Sequence, residues 1–421
     1  MNSFLDNLKS RNLLKDISDE LKFKIIQQQQ SGIYCGFDPT AKSLHIGNLM
    51  QLLILKEASK NNFIPYVLIG KATGLIGDPA FKETERKKID FKEIETNFIS
   101  LKKQINNIFP EFKIIDNYQW VNNLSLIYFL REIGKNINIS VMLAKDHIKT
   151  RINKGLSFAE FSYNLIQAYD FYFLAKNKQI LVQFGGSDQW GNIVSGINII
   201  KAKTKLNWQK KLNVAGFTIP LIVNRNNEKF GKTKDGNIWL DSNLTNVFDF
   251  YQYFLNLGDD AAQKLIFYIF DFDLVQIQNI IKNHFQNKKL KILQKELAFY
   301  FTNLIHGKIK TKEVINLNKL LFFKLRDQNY LLTKKDFQIC DNHLESFIFK
   351  QSKIPIIDLL INTKIASSKR DARKLIIQNG ITINNKVINN PDFNFEFSFK
   401  NDFALIKKGR KKYLIIKKIS K

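Results

Sequence analysis

Residues 33–50 constrain the fold most, because they predict a strand that runs through a short turn into a helix. Ile33 to Phe37 is a short apolar run, which is typical of a buried strand. Asp38-Pro39-Thr40 indicates a turn, since proline fixes its own backbone and restricts the residue before it. From Leu44 onward the buried-type residues recur at helical spacing. We therefore place residues 45–48 in the first turn of a helix that follows a strand.

The start of this helix suits a polyanion. A helix N-terminus offers unpaired N–H groups and a partial positive charge. Gly47 lets a ligand approach the backbone closely. His45 and Asn48 are three residues apart, so they share one face and can donate hydrogen bonds from it. The pattern predicts a nucleotide phosphate site at this turn.

Two short motifs give the chain a family resemblance. His45-Ile46-Gly47-Asn48 resembles the HIGH signature of class I aminoacyl-tRNA synthetases, and the stretch Tyr34 to Leu49 closely resembles bacterial-type tyrosyl-tRNA synthetases. Lys229-Phe230-Gly231-Lys232-Thr233 resembles the KMSKS signature of the same class. A lysine loop alone is more often a solvated surface turn. Its place after the first motif, in an alternating strand and helix pattern, favours the synthetase reading.

The resemblance also predicts the architecture. Alternating strands and helices indicate an α/β fold with a parallel sheet and ligands at the carboxyl ends of its strands. The family implies a Rossmann-like parallel-sheet catalytic domain, then an α-helical domain, then a small α+β S4-like RNA-binding domain. We expect the catalytic domain over 1–225 with a helical insertion at about 85–150, the lysine loop and helical anticodon-region domain over 226–325, a connector over 326–350, and the S4-like domain over 351–421.

Charge and cysteine content limit the partners and the compartment. The net charge of +27 suggests an anionic partner, nucleic acid first, although a bias toward Lys, Asn, Ile and Phe accounts for part of it. Two cysteines exclude a disulfide framework or a cysteine-rich zinc site. The N-terminus lacks the apolar core of a secretory signal, and no apolar run is long enough to span a bilayer. We expect a cytoplasmic protein with no membrane partner.

The resemblance implies a tyrosine–tRNA ligase reaction. Tyrosine and ATP would form tyrosyl-adenylate and pyrophosphate, and tyrosine would then pass to the 3′ end of tRNA(Tyr). ATP is a substrate accompanied by Mg²⁺, with no tightly bound prosthetic group and no metal site of the protein's own; the family implies a homodimer. The catalytic residues implied are Thr40, His45, Asn48, Lys82, Arg86, Lys229, Lys232 and Thr233. The ATP-binding residues implied are Cys35, Gly36, Asp38, Gly47, Gly186, Asp188 and Lys232.

A polar stripe on a later helix predicts the amino-acid pocket. Tyr163, Gln167 and Asp170 fall at i, i+4 and i+7, which is one helical face among apolar neighbours. Spacing alone fits a solvated helix face equally well. The resemblance implies that Asp170 and Tyr34 pair with the substrate phenol, which phenylalanine lacks. The full tyrosine-binding set implied is Tyr34, Asp78, Tyr163, Gln167, Asp170 and Gln189.

The last 71 residues carry their own signal. They hold 16 Lys and Arg against 5 Asp and Glu. After a plausible serine cap, a predicted helix puts four basic residues on one surface, and Gly380 then leads into a strand. This order resembles the S4-like RNA-binding domain. The RNA-binding residues implied are Lys369, Arg370, Arg373 and Lys374.

Two alternative functions remain open. One is a synthetase of the same class for tryptophan, which the Tyr34 and Asp170 pair disfavours. The other is a non-catalytic S4-type RNA-binding protein on a synthetase scaffold, which the lysine loop disfavours. The chain departs from the family pattern at three places: Asn48 replaces histidine, Lys71 stands where glycine is usual, and Ala80-Phe81 replaces a small Ser-Gly pair.

Overall fold

A computed structural model describes residues 3–78, 89–136, 139–143, 152, 155–206, 212–222, 231–233, 236–327, 330–397, 402–409 and 412–418. The chain forms two compact units. The first comprises residues 1–245 and 254–297, and the second comprises residues 246–253 and 298–421.

The strands and helices follow one another in chain order. The strands are β1 (Asp16–Ile17), β2 (Gly32–Phe37), β3 (Ile64–Ile69), β4 (Lys113–Asp116), β5 (Ile180–Gly186), β6 (Ala215–Ile219), β7 (Lys232–Thr233), β8 (Gly236–Asn237), β9 (Ser346–Phe349), β10 (Lys353–Pro355), β11 (Ile381–Ile383), β12 (Lys386–Ile388), β13 (Asn394–Glu396), β14 (Phe403–Lys408) and β15 (Lys412–Lys418). The helices are α1 (Phe4–Ser10), α2 (Glu20–Gln28), α3 (Ile46–Ser59), α4 (Lys71–Ile76), α5 (Phe91–Ile108), α6 (Tyr118–Val121), α7 (Leu126–Tyr128), α8 (Ile139–Leu143), α9 (Phe158–Lys178), α10 (Trp190–Leu206), α11 (Val247–Leu255), α12 (Asp259–Leu265), α13 (Leu274–Gln286), α14 (Ile292–Phe322), α15 (Lys334–His343), α16 (Ile356–Asn362) and α17 (Lys369–Ile377). A π-helical turn covers Phe129–Ile133, and short 3₁₀ turns cover Gly134–Asn136, Ser187–Gln189, Ile266–Tyr268, Lys288–Leu290 and Lys324–Arg326.

The first unit is built on a six-stranded sheet in the order β1-β6-β5-β2-β3-β4. All neighbouring strands are parallel except the edge pair β1 and β6. From β2 the chain proceeds outward through β3 to β4, whereas β5 and β6 lie on the other side of β2. The carboxyl ends of β2 and β5 therefore meet at the topological switch point, where ligands bind in such sheets.

Strand β4 belongs to the main sheet, although it falls within the predicted helical insertion. It pairs with β3 in parallel, with Ile69 opposite Asp116, and so extends the main sheet at its edge. Helix α5 supplies the crossover before it. Residues 91–116 thus supply the helix and the second strand of a parallel strand–helix–strand repeat that starts at β3, whereas the sequence analysis placed them within a helical insertion at about 85–150.

A cluster of phenylalanine side chains supports one face of this sheet. Phe217 on β6 has its ring centroid 5.0 Å from Phe184, 5.8 Å from Phe23 and 6.1 Å from Phe4. All four side chains are buried. Aromatic rings at these separations contribute both buried apolar area and favourable edge or offset contacts. The cluster holds the first two helices against the sheet.

The second unit ends in a compact α+β body. Strands β12, β11, β14, β15 and β9 form a five-stranded sheet in that order, and β10 pairs with β13. Helices α16 and α17 pack with this sheet around an apolar core that includes Leu359, Ile376 and Ile406. Strand β9 pairs in parallel with β15, and α15 precedes it. The predicted connector over 326–350 therefore contains a helix and a strand of this body.

In the part of the chain that the structure describes, no helix is long and apolar enough to cross a membrane.

Replacing Phe217 by alanine tests the aromatic cluster. The cavity and the lost ring contacts should lower the free energy of unfolding by about 3–5 kcal/mol, since a buried phenylalanine is removed. Thermal unfolding followed by circular dichroism measures the loss. Phe285→Ala is the control, because that ring is partly exposed and its removal should lower stability far less. Equal losses in the two variants would contradict the role of the cluster.

Candidate functional site

Two adjoining cavities lie at the carboxyl ends of β2 and β5. The larger has a volume of about 300 Å³ and reaches from the strand ends to α9. The smaller has a volume of about 240 Å³ and lies beside the start of α3. The residues that line both are His45, Asn48, Gln51, Asp188 and Asn237. The arrangement can hold a ligand with two chemically different parts.

A buried carboxylate closes one end of the larger cavity. Asp170 on α9 is 1% exposed. Its Oδ1 accepts a hydrogen bond from Trp120 Nε1 at 2.7 Å, and its Oδ2 accepts one from Asn117 Nδ2 at 3.0 Å. Burial raises the pKa of Asp170 to about 7, even though these two donors favour the ionised form. The ionised form of this group can accept a hydrogen bond from a ligand.

A phenol faces the same end. Tyr34 on β2 is 1% exposed, and its hydroxyl is buried without a hydrogen-bond partner among the described residues. Burial, followed by the nearby charge of Asp170, raises the pKa of Tyr34 well above its usual value. The hydroxyl therefore stays protonated and can donate. A buried polar group without a partner is costly, so this end fits a ligand hydroxyl that satisfies it.

A hydrogen-bonded network forms the wall of the larger cavity at the carboxyl ends of β2 and β3. Asp38, which follows β2, accepts from Thr73 Oγ1 at 2.7 Å and from the Tyr163 hydroxyl at 3.0 Å. Thr73 lies in α4, directly after β3. Gly70 is required here, because a Cβ atom on it would lie 2.1 Å from Thr73 Oγ1. Both carboxylate oxygens of Asp38 thus help to fix the wall of the larger cavity.

A second network holds the amides of Gln167 and Gln189, which also line the larger cavity. Gln189 Nε2 donates to Asp78 Oδ2 at 3.2 Å, and Gln167 Nε2 donates to Gln189 Oε1 at 3.2 Å. Asn192 Nδ2 lies 2.9 Å from Gln167 Oε1 and 3.1 Å from Gln189 Oε1. These contacts bring Asp78, Gln167 and Gln189 together, as the sequence analysis predicted. They fix the orientation of amides that can bind a charged polar ligand.

Helix α3 begins with a reciprocal cap. His45 is the N-cap residue, and its Nδ1 accepts from the Asn48 backbone N–H at 3.3 Å, while Asn48 Oδ1 accepts from the His45 N–H at 3.0 Å. A neutral imidazole whose Nδ1 accepts carries its hydrogen on Nε2, which can donate. Asn48, which stands where the family pattern has histidine, therefore caps the helix start, because its side-chain oxygen accepts from the His45 N–H.

The segment after the lysine loop lies against this helix start. Trp239 pairs with His45 in an antiparallel bridge, and Ile46 N donates to Ile238 O at 3.1 Å. Gly231 has a φ of +89°, and a Cβ atom on it would lie 3.6 Å from the Gly47 nitrogen. The left-handed backbone favours glycine at this position. These contacts bring the two signature motifs together in space.

The predicted nucleotide residues have different outcomes. Thr40, Gly36 and Asp38 line the larger cavity, Gly47 and Gly186 line the smaller, and Asp188 lines both. Cys35 is fully buried and is not among the lining residues, because alternation along β2 turns it away from the face that Tyr34 and Gly36 share. Lys82, Arg86 and Lys229 lie outside the described residues. For Lys232 and Thr233 the structure describes only the backbone, in β7.

The four basic residues of the tail lie on α17. Ser368 caps this helix, accepting from the Asp371 N–H at 3.1 Å. Ala372 and Ile376 bury the opposite face in the core. The four exposed basic residues are Lys369, Arg370, Arg373 and Lys374. In the described part of the chain, no ion pair involves any of them.

Sequence reasoning missed several site residues. Asn117 and Trp120, which hold Asp170, follow β4 and were hidden by the interpretation of that region as an insertion. A signal was present, because the mostly apolar run Phe112 to Asp116 is typical of a strand, and polar residues after a parallel strand mark the ligand edge of a sheet. Thr73 and Asn192 are also new. Their side chains act through other side chains, which no spacing pattern reveals.

Comparisons with known proteins agree on one family. Residues 27–322 match the family described as tRNA synthetases class I (W and Y), and residues 336–416 match the tyrosine–tRNA ligase SYY-like C-terminal domain. A tyrosine–tRNA ligase of Mycoplasma mycoides subsp. mycoides is 41% identical over 419 residues, which cover 99% of each chain. That of Mycoplasmoides gallisepticum is 40% identical, covering 98% of this chain and 99% of the relative. The crystal structure of a C-terminally truncated mitochondrial tyrosyl-tRNA synthetase from Aspergillus nidulans is 30% identical, with a TM-score of 0.67, covering 76% of this chain and 95% of that one.

Removing one donor to Asp170 should raise its pKa. In Trp120→Phe the carboxylate loses the 2.7 Å hydrogen bond that favours its ionised form, so its pKa should rise above about 7. Carboxyl titration by NMR of ¹³C-aspartate-labelled protein measures the change, and Asp170→Asn identifies the resonance. Phe173→Leu is the control, since it removes the ring stacked on Trp120 but no hydrogen bond. An unchanged pKa in Trp120→Phe would contradict the assigned role.

Proposed function

The chain belongs to the tyrosine–tRNA ligase family of class I tRNA synthetases, and on that premise we propose how its residues join tyrosine to tRNA. The reaction has two steps. A carboxylate oxygen of tyrosine attacks the α-phosphorus of ATP, and pyrophosphate leaves. A hydroxyl of the 3′-terminal adenosine of tRNA(Tyr) then attacks the tyrosyl carbonyl, and AMP leaves. The single observation that carries the substrate assignment is the buried pair of Tyr34 and Asp170 at one end of the larger cavity.

Tyrosine fits the larger cavity in one orientation. The Tyr34 hydroxyl donates to the substrate phenol oxygen, and the phenol donates in turn to Asp170. The ammonium group lies toward Asp78, Tyr163 and Gln167 at the other end. Gln189, already held by Asp78 and Gln167, orients the carboxylate toward the smaller cavity. The networks that fix these side chains supply the positioning that the first step needs.

The phenol end also accounts for amino-acid selection. Phenylalanine would bury Asp170 and Tyr34 without the oxygen that satisfies both, and a buried unpaired group is costly. A site built to bind a hydroxyl rejects the analogue that lacks it, a rule for which tyrosyl-tRNA synthetases are themselves the usual example. Tryptophan has an indole N–H but no acceptor for Tyr34. The pocket therefore favours tyrosine over both.

ATP binds in the smaller cavity, beside the start of α3. The backbone at Gly47 and the imidazole of His45 face the phosphates, with Thr40 nearby, and Asp188 accepts from the ribose hydroxyls. Gly186 is needed beside it, because a Cβ atom there would lie 2.5 Å from Asp188 Oδ1. The lysines of residues 229–233, with Lys82 and Arg86, neutralise the charge that develops on the leaving pyrophosphate. Mg²⁺ would accompany the ATP phosphates and offset part of their charge.

Exchange of pyrophosphate into ATP, measured for each of the twenty amino acids without tRNA, tests this function. Exchange should depend on tyrosine alone. Lys232→Ala should lower the exchange rate by about 100-fold or more, since a group that stabilises the transition-state charge is lost, while tRNA binding stays unchanged. Lys102→Ala, at an exposed lysine of α5, is the control.

Exchange with another amino acid would overturn the assigned pocket. Unchanged exchange in Lys232→Ala would overturn the role of the lysine loop. The absence of exchange with every amino acid, in folded protein that binds tRNA, would favour the RNA-binding alternative.

The active protein is a homodimer. The support is a group of large apolar side chains in the first unit that are exposed, at described positions between residues 126 and 158, since grouped exposed apolar side chains are typical of an interaction site. They are Leu126, Ile127, Leu130, Ile139 and Phe158. Analytical ultracentrifugation tests the proposal, and a monomer at micromolar concentration would contradict it.

The two cysteines are free thiols, which agrees with a cytoplasmic location.

The tail binds tRNA(Tyr) in the manner of an S4-like domain. Its support is the exposed basic face of α17, followed by Gly380 and strand β11. Cationic side chains on one surface bind phosphates and release counterions, so affinity falls as salt rises.

Neutralising this face should weaken tRNA binding. Replacing Lys369, Arg370, Arg373 and Lys374 by alanine should lower the slope of log affinity against log salt by about 3. Filter binding of tRNA(Tyr) across a salt series measures the slope. Lys353→Ala with Lys386→Ala is the control, because both lysines are exposed in the same body but lie off α17. A slope that stays the same in the quadruple variant would contradict RNA contact by this helix.

A further inference from the structure

Lys71 is a buried cation outside the cavities. It is the first residue of α4, and its side chain is 10% exposed. Its Nζ lies 2.7 Å from Glu95 Oε2 and 2.9 Å from Asp116 Oδ2, and 4.6 Å from the ring centroid of Phe98. Burial alone would lower the pKa of Lys71, but hydrogen bonds to the two carboxylates outweigh it and raise that pKa above its usual value. The side chain is therefore charged.

The two carboxylate partners depend on Lys71 to different degrees. The side chain of Glu95, on α5, is 39% exposed, so water can solvate it. That of Asp116, at the end of β4, is 9% exposed. The other oxygen of Asp116 accepts from the Tyr118 backbone N–H at 2.9 Å. A buried carboxylate deprived of its cation is strongly destabilised, so Asp116 is the partner that requires Lys71.

The residue after Asp116 connects this ion pair to the phenol end of the pocket. Asn117 Nδ2 donates to Asp170, and its Oδ1 accepts from the Ala72 backbone N–H at 2.9 Å. Two adjacent links, Lys71 to Asp116 and Ala72 to Asn117, therefore tie the start of α4 to the end of β4. Together these two links fix the position of the Asn117 side chain, and so its distance from Asp170.

We propose that Lys71 is a positioning residue for tyrosine recognition, whose ion pair with Asp116 holds Asn117 against Asp170. Besides burial, the negative charges of Asp38 and Asp116 both raise the pKa of Asp170, and Lys71 offsets the charge of Asp116. Tyr34 faces Asp170 at the same end of the cavity. The inference rests on the proposed contact between Asp170 and the substrate phenol. It assigns a function to the lysine that stands where the family usually has glycine.

Lys71→Met tests the proposal, because methionine keeps most of the volume and removes the charge. The KM for tyrosine in pyrophosphate exchange should rise about tenfold, since a small displacement of a positioned group weakens binding. The kcat and the KM for ATP should stay within about twofold, because the phenol contact is equally present in the ground and transition states. The acidic limb of kcat/KM for tyrosine should move to higher pH, since Asp170 loses stabilisation of its ionised form.

Two further variants separate positioning from general stability. Glu95→Gln removes the solvated partner of Lys71 and should leave the KM for tyrosine unchanged. The double variant Lys71→Met with Asp116→Asn leaves no unpaired buried charge, and its asparagine can still accept from the Tyr118 N–H. Its KM for tyrosine should return to within about threefold of the unmodified protein. The reason is that no unpaired buried carboxylate remains at residue 116 to displace the neighbouring Asn117.

The outcomes distinguish the inference from the function on which it rests. An unchanged KM and pH profile in folded Lys71→Met would overturn the inference, as would a double variant that is no better than the single one. If neither variant folds, Lys71 serves the fold alone and the inference fails. Asp170→Asn tests the underlying contact separately: if it leaves tyrosine binding intact, the assigned pocket itself is wrong.

Discussion

The buried carboxylate of Asp170 sets the main constraint on the catalytic unit. Moving a carboxylate out of water costs several kcal/mol unless donors surround it. Burial raises the pKa of Asp170 to about 7 despite its two donors, which indicates that they offset this cost only in part. Those donors, Asn117 and Trp120, must come from a neighbouring strand end, so the edge strand β4 becomes part of the pocket. In the proposed complex, the remaining cost is relieved when the substrate hydroxyl binds between Asp170 and Tyr34. Stability is thereby given up for selectivity.

The proposed nucleotide side of the site is built on a different principle. There the fixed groups are backbone atoms at the start of α3, with a reciprocal cap between His45 and Asn48 that orients the imidazole. A polyphosphate needs distributed donors and charge, which a helix terminus and a lysine loop supply without burial of a charge. In the proposed reaction, binding of tyrosine therefore depends on preorganised side chains, and activation depends on groups brought close by Gly231 and Trp239.

Sequence patterns predicted the parts that repeat with a regular period. The strand and helix over 33–50, and the polar face of Tyr163, Gln167 and Asp170, follow from periods of 2 and 3.6 residues. The same alternation on β2 would have turned Cys35 away from Tyr34, and the prediction for Cys35 overlooked it. The strand before Asn117 is visible in the sequence, but the role of Asn117 could not be found from spacing, because that role exists only when β4 pairs with β3. Pairing between distant strands is a property of the whole sheet, which one-dimensional periodicity does not contain.

The departures from the family pattern show how a local change is accommodated. At position 48 asparagine performs the capping task, because its side-chain oxygen reaches the N-cap nitrogen. At position 71 a lysine replaces the smallest residue, and that is tolerated only because Glu95 and Asp116 both bind its ammonium and Phe98 covers it. Glycine offers no charge to such a cluster. A chain with glycine at 71 must therefore hold the end of β4 by other contacts. In this chain, Lys71→Gly would leave the Asp116 carboxylate without its cation. In a relative that lacks this carboxylate, glycine at the same position would leave no buried charge unpaired.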